Sequence, residues 1–276
     1  MNICYRANAD FVRRDASGDK RFCFVGDRQA PGIRASFGPI VREEYEGDVE
    51  PVIERGGPLR PVSWRPVCHS HMPRGWRKAR TSPIIRRHGF VDLREAGETF
   101  DRHWSLHARR HERLWMRQQG EWQVVEPSIE EFIVGMRSTN KDFLFKAMFV
   151  DSLRRMARSH GDLLHLRAAR RGEGPLEVGL ATLDVPECGL SIHHMAFTLE
   201  SARSSSAGVG LIVEWFKRAL RENLQVLHLG VFWAPGSPKD WKGFSRFKAQ
   251  FGAQMVDLPH PFVRWSGNIS ENFRRE

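Results

Sequence analysis

The sequence predicts an α/β fold: a mixed, mainly antiparallel sheet flanked by helices, with an irregular N-terminal region before it. Three observations predict it. Helical signals dominate from about Gly97 to His160. Three strand-like segments follow between Leu163 and Phe197, joined by links short enough for hairpins. An amphipathic stretch, Ala207 to Glu222, then leads to a further strand-like run, Val226 to Trp233, so it supplies a crossover that lets this run pair parallel.

Residues 1–96 make up the irregular region and residues 97–276 the regular domain. Prolines crowd the stretch from Pro31 to Pro83, with glycines among them. Proline removes a backbone donor and fixes φ, which disfavours long helices and central strands. Short strands fit, as in RFCFVGD, Arg21 to Asp27. Beyond Gly97, Glu98 to Gly120 reads as a helix closed by glycine. Glu121 to Pro127 alternates and carries paired valines, as a strand does. Ser128 with Glu131 three residues on forms a capping box and starts a helix. Asp142 to His160 carries Phe145, Phe149, Leu153 and Met156 on one stripe and stops at Gly161. The strands Leu163–Arg170, Pro175–Pro186 and Gly189–Phe197 come next. After Val226–Trp233 come a helix, Asp240 to Gly252, and an extended piece, His260 to Trp265.

Composition narrows the function. A folded globular protein follows from 41% apolar residues and mixed charges over 276 residues. No segment approaches the roughly 18 apolar residues of a membrane span, and the N-terminus MNICYRANADFVRRD lacks a signal-peptide core. Cys4, Cys23, Cys68 and Cys188 form no CxxC pair and read as free thiols in a reducing compartment, so a cytoplasmic location is expected. The net charge of +10 favours anionic partners. Its one local cluster, Arg74 to His88, reads as a solvated loop, and its lone Trp76 is too little aromatic surface for a stacking platform. Nucleic-acid binding through it is expected to be weak and non-specific.

The stretch SSSAGVGLIVEWFKRAL, Ser204 to Leu220, places small and hydroxyl residues directly before a helix. A helix start has unpaired N–H donors and partial positive charge, and glycine lets an anion approach the backbone. Arg203, Ser204, Ser205, Ser206, Ala207, Gly208, Val209 and Gly210 are therefore the candidate phosphate-binding residues.

The order of elements from Glu121 to about Trp265 resembles the GNAT acyltransferase fold. In that fold a loop reading Gln/Arg-x-x-Gly-x-Gly/Ala holds the coenzyme A pyrophosphate. Ser205, Gly208 and Gly210 align with it here; serine stands where the family has Gln or Arg, with Arg203 close by. DWKGFSRFKAQFG, after HLGVFWAPGSP, resembles the C-terminal signature of the FemABX-like, peptidoglycan-bridge type of GNAT protein. HWSLHARRHERLW, His103 to Trp115, resembles the Arg-rich helix before that group's second GNAT unit. Such proteins carry two units, so the first is expected here to be reduced or absent. The resemblance implies transfer of an acyl group to an amine acceptor, with acyl-CoA (acetyl-CoA) as donor. An aminoacyl-tRNA donor is the alternative, and a catalytically inactive binding protein a further one.

Acyl transfer must deprotonate the amine, stabilise an oxyanion and protonate the leaving group. Tyr5 and Tyr45 are the only tyrosines, both far upstream of the last helix, where many GNAT enzymes keep a tyrosine acid. By the resemblance, Lys248 in FKAQFG stabilises the oxyanion or holds a donor phosphate, with Arg246 as the alternative cation. His193 and His194 end the strand that feeds the phosphate loop, and strand alternation aims at most one of them at a given cleft. Asp184 is positioned to orient the amine, act as base, or simply close a turn beside Pro186. His103, His107 and His111 share a helix face, and CHSH (Cys68 to His71) groups ligand types, but neither has a completing ligand pair, so no metal is expected.

Overall fold

The computed structural model describes residues 43–46, 60–65, 72–78, 87–140, 143–186, 189–235, 237, 239–257 and 262–266. The expected strand at Arg21–Asp27, all four cysteines, Tyr5 and CHSH lie outside the described residues. In chain order the strands are β1 Glu43–Glu46, β2 Arg60–Arg65, β3 Arg77–Lys78, β4 Arg87–Asp92, β5 Trp122–Val125, β6 Leu164–Arg171, β7 Val178–Val185, β8 Leu190–Thr198, β9 Val226–Phe232, β10 Gln254–Asp257 and β11 Phe262–Ser266. The principal helices are α1 Leu106–Gln118, α2 Ile129–Arg137, α3 Phe143–His160, α4 Ala207–Arg221 and α5 Trp241–Ala249.

The chain divides into two units, one of Arg87–Val256 and one of Met1–Arg86 with Asp257–Glu276. The second contains a four-stranded sheet in the order β1-β2-β11-β3. Its β1 and β2 are parallel, and β11 runs antiparallel to both β2 and β3. The sequence boundary at residue 97 therefore differs from the structural one at both ends: β4 belongs to the larger unit, and β11 pairs with strands near the N-terminus.

The larger unit is a seven-stranded sheet in the order β10-β4-β9-β8-β7-β6-β5. Strands β5 to β8 are antiparallel neighbours, β8 and β9 are parallel, and β4 is antiparallel to β9. Helices cover both faces. Helices α2 and α3 pack Phe132, Ile133, Met136 and Leu153 onto Ala168, Ala181, Met195 and Phe197 of one face. On the other face, Trp104, Ala108 and Trp115 pack with Trp215 and Phe216 of α4 over Leu180, Leu227 and Leu229.

Local sequence explains the element ends. Ser128 Oγ accepts the Glu131 N–H, and the Glu131 carboxylate accepts the Ser128 N–H, so the capping box is complete. The expected helix at Glu98–Gly120 is instead two pieces. Residues Gly97–His103 form a 3₁₀ segment broken at Thr99, and α1 begins at Leu106 with the Ser105 hydroxyl accepting the Ala108 N–H. Phe100 and Trp104, which mimic a helical stripe, enter the core from the 3₁₀ segment and its end.

Candidate active site in the parting of two strands

Strands β8 and β9 pair only at Leu190–Val226, Ser191–Leu227 and Ile192–His228. Beyond that point β8 stays with β7 and β9 stays with β4, so the two strands part. A bulge sits on each side of the parting. His194 is the extra residue between the pairs Thr182–His193 and Ala181–Met195. Leu229 is the extra residue between Phe90–His228 and Gly89–Gly230, and Gly230 takes φ +74°. Bulges bend a strand and increase its twist, which is how two ladder neighbours are turned apart. The His194 bulge also breaks the alternation expected from sequence. His193 and His194 are both half-buried rather than sorted cleanly to opposite faces.

Helix α5 delivers a cation to this parting. Ser245 Oγ accepts the Trp233 N–H at 2.7 Å and ties the helix to the end of β9. Phe251, just after the helix, is buried against Trp104. Lys248 then reaches inward. A Cβ added to Gly230 would lie 3.5 Å from Lys248 Nζ, 3.6 Å from the His193 carbonyl oxygen and 4.0 Å from His193 Nδ1. Glycine serves twice here: it accepts the positive φ, and it leaves room for the ammonium. The Phe244 ring lies 5.2 Å from Nζ.

Burial lowers Lys248 to about 7. Burial likewise pushes His193 well below its ordinary value, and Lys248 and His194 add to the effect. At neutral pH His193 is therefore an uncharged imidazole able to take a proton, in the same parting as the Lys248 amine. Arg246, the alternative cation, is exposed on the same helix.

The eight loop residues are used unequally. Arg203 is exposed and paired with Glu200 at 2.8 Å, and Ser204 is exposed. Ser205 Oγ donates to the Ala202 carbonyl at 2.7 Å and accepts the Ala207 N–H at 3.3 Å. Ser206 is buried, with Oγ 3.0 Å from His111 Nδ1 and its N–H 3.5 Å from Gln118 Oε1, both from α1. Ala207 and Val209 are buried. Gly210 is a packing residue: a Cβ there would fall inside the Trp115 indole. Gly208 faces open space, with nothing within 4 Å of an added Cβ. The first-turn N–H groups at Gly208 and Val209 have no intrahelical acceptor. The contribution of α1 to this end of α4 was not legible in the loop motif.

Asp184 is drawn into a different constellation. Its carboxylate pairs with Arg218 Nη1 at 3.0 Å and Nη2 at 3.2 Å, and it accepts the Ser191 hydroxyl. Ser191 in turn accepts the Trp215 indole N–H at 2.6 Å, and Arg218 also donates to Thr182 Oγ1 at 2.8 Å. The network fastens α4 to β7 and β8. Burial raises Asp184 to about 6, against the opposing pull of Arg218. His165, Asp184 and Glu222 bring possible ligand atoms within 4.8 Å of one another, with the Arg218 guanidinium already on the carboxylate. Along α1, the His107 and His111 rings lie 4.4 Å apart, tilted by 55°, and His111 is committed to Ser206.

No family model matches the sequence, and no curated protein matches it. Solved structures match in fold. One is the crystal structure of FemX, with TM-score 0.52, 10% identity, and coverage of 74% of this chain and 71% of that one. Another is a conserved protein of unknown function from Bacteroides thetaiotaomicron VPI-5482, with TM-score 0.51, 10% identity, and coverage of 74% and 69%. The fold is like that of FemX. At these identities the likeness concerns the fold. None of the helices among the described residues is long and apolar enough to cross a membrane.

Proposed function

We propose that the chain is an N-acyltransferase that moves an acyl group from acyl-CoA to an amine acceptor, with the chemistry in the parting of β8 and β9. The observation that carries this reading is that Lys248 Nζ and His193 converge on Gly230, where two bulged strands separate. The acyl donor enters the parting, where the facing strand edges no longer pair with each other and can hydrogen-bond a substrate amide. The Gly208 end of α4 receives the donor pyrophosphate on its free N–H groups. His193, uncharged near pH 7, takes the proton of the attacking amine. Lys248, when protonated, stabilises the oxyanion and then supplies a proton to the leaving thiolate.

A second reading takes the acyl group from aminoacyl-tRNA. It is favoured by Ser206, whose N–H and hydroxyl at the loop are already engaged by Gln118 and His111. The two donors separate by salt. Acetyl-CoA should raise the melting temperature at moderate salt, because backbone N–H groups make the grip. RNA binding, where seen, should fall away as salt rises through the physiological range. Tight, aminoacylation-dependent tRNA binding with no response to acetyl-CoA would replace the first reading by the second. No response to either would leave a binding protein without catalysis.

A further inference from the structure

Lys248 is the one lysine among the described residues whose amine is driven toward its neutral form. Burial is the cause. Around Gly230 this lysine shares the parting with His193 of β8, on which Lys248, His194 and His228 all act. None of the described ion pairs joins Lys248 to a carboxylate. The amine lies over Gly230, a position with no side chain to shield it, and the His193 imidazole borders the same position. A neutral amine is a nucleophile, and a neutral imidazole beside it accepts the proton that bond formation releases.

We propose that Lys248 is a self-acylation site: with donor bound and no acceptor present, its amine takes the acyl group and closes the enzyme down. The inference rests on the acyl-transfer reading for its biological donor, but the reactivity of the lysine can be tested apart from it. The Nζ lone pair attacks the thioester carbonyl carbon, and an N–C bond forms. The C–S bond breaks, and the thiolate leaves with the electron pair. The proton lost from Nζ passes through His193 to the departing sulfur. The products are an Nζ-acyl-lysine amide and a free thiol, with no other reactant. The amide carries no charge and is not an acyl donor, so the modified protein has lost its oxyanion-stabilising cation.

The test treats the full chain separately with acetyl-CoA and with p-nitrophenyl acetate, an activated ester that needs no coenzyme site. Peptide mass spectrometry then measures the 42 Da addition at Lys248 and, as reference, at Lys242. With the ester, Lys248 should be modified on the order of tenfold faster than Lys242 at pH 7.5, with a half-maximal rate near pH 7, because an ordinary lysine is almost wholly protonated there. Lys248→Arg, which keeps a cation but no acylatable amine, should lose that label and retain its fold by melting temperature. Modification at Lys242 as fast as at Lys248, or a half-maximal rate near pH 10, overturns the proposal. Labelling by the ester but not by acetyl-CoA upholds the reactive lysine and sinks the coenzyme donor. Thermal protection by acetyl-CoA with no Lys248 labelling from either reagent keeps the donor and overturns the self-acylation.

Discussion

Gly210 lies so close to Trp115 that a side chain there would come within 3.0 Å of the indole, whereas Gly208, two residues earlier, faces open space. The two glycines of one motif therefore do different work. Gly210→Ala should destabilise the fold by about 1–3 kcal/mol through overpacking. Gly208→Ala should stay within about 0.5 kcal/mol of the wild type. Urea unfolding of the two variants checks the contrast, and equal losses would show that α1 does not lie on α4 as described.

Gly208→Asp should fold normally, because a carboxylate suits a helix N-terminus. It should weaken acetyl-CoA binding by about 1–3 kcal/mol, since the new charge meets the pyrophosphate. Calorimetry giving equal affinities would remove the phosphate from this helix end.

Arg218→Met tests the buried network. The folded pKa of Asp184, about 6, is above the unfolded value of about 4. The folded state thus holds that proton more tightly, and the group's contribution to stability is full below about pH 4 and declines as pH rises through 6. Arg218 offsets part of that decline. Without it the buried carboxylate keeps the Ser191 hydroxyl and His165 at 3.4 Å but loses its guanidinium counter-charge, at a cost of about 3–5 kcal/mol at neutral pH. The loss should be larger at pH 7.5 than at pH 5, measured by denaturant unfolding. A pH-independent loss would mean that the guanidinium acts by packing alone.

Gly230→Ala should lower turnover more than it lowers thermal stability. It strains a φ of +74° and places a methyl 3.5 Å from the Lys248 amine. The backbone strain should cost on the order of 1 kcal/mol. Unchanged turnover would place the reacting atoms elsewhere.

Much of the larger unit was legible because its cues are local. Periodicity and caps marked the elements from Trp122 to Ala249 to within a few residues, and the Ser128–Glu131 capping box is intact. The missed features depend on distant partners. β4 is a strand because Gly89 leaves space for Phe232 and because Arg87–Asp92 pairs with β9, far along the chain. The break before α1 was hidden because Phe100 and Trp104 have helical spacing. At the site, Lys248 and His193 were visible as residue types in suggestive places. Their convergence was not, because it depends on two bulges, and a bulge is an exception to the alternation used to read strands. Asp184 looked available because its partner Arg218 lies on another element.

The central claim is that acyl transfer occurs beside Lys248, and radiolabelled acetyl-CoA offered with a panel of primary amines tests it most directly. Wild type should transfer the label, and Lys248→Ala should transfer it about a hundredfold more slowly, the usual cost of losing one oxyanion-stabilising group, with its melting temperature unchanged. Transfer by Lys248→Ala at nearly the wild-type rate would contradict the account.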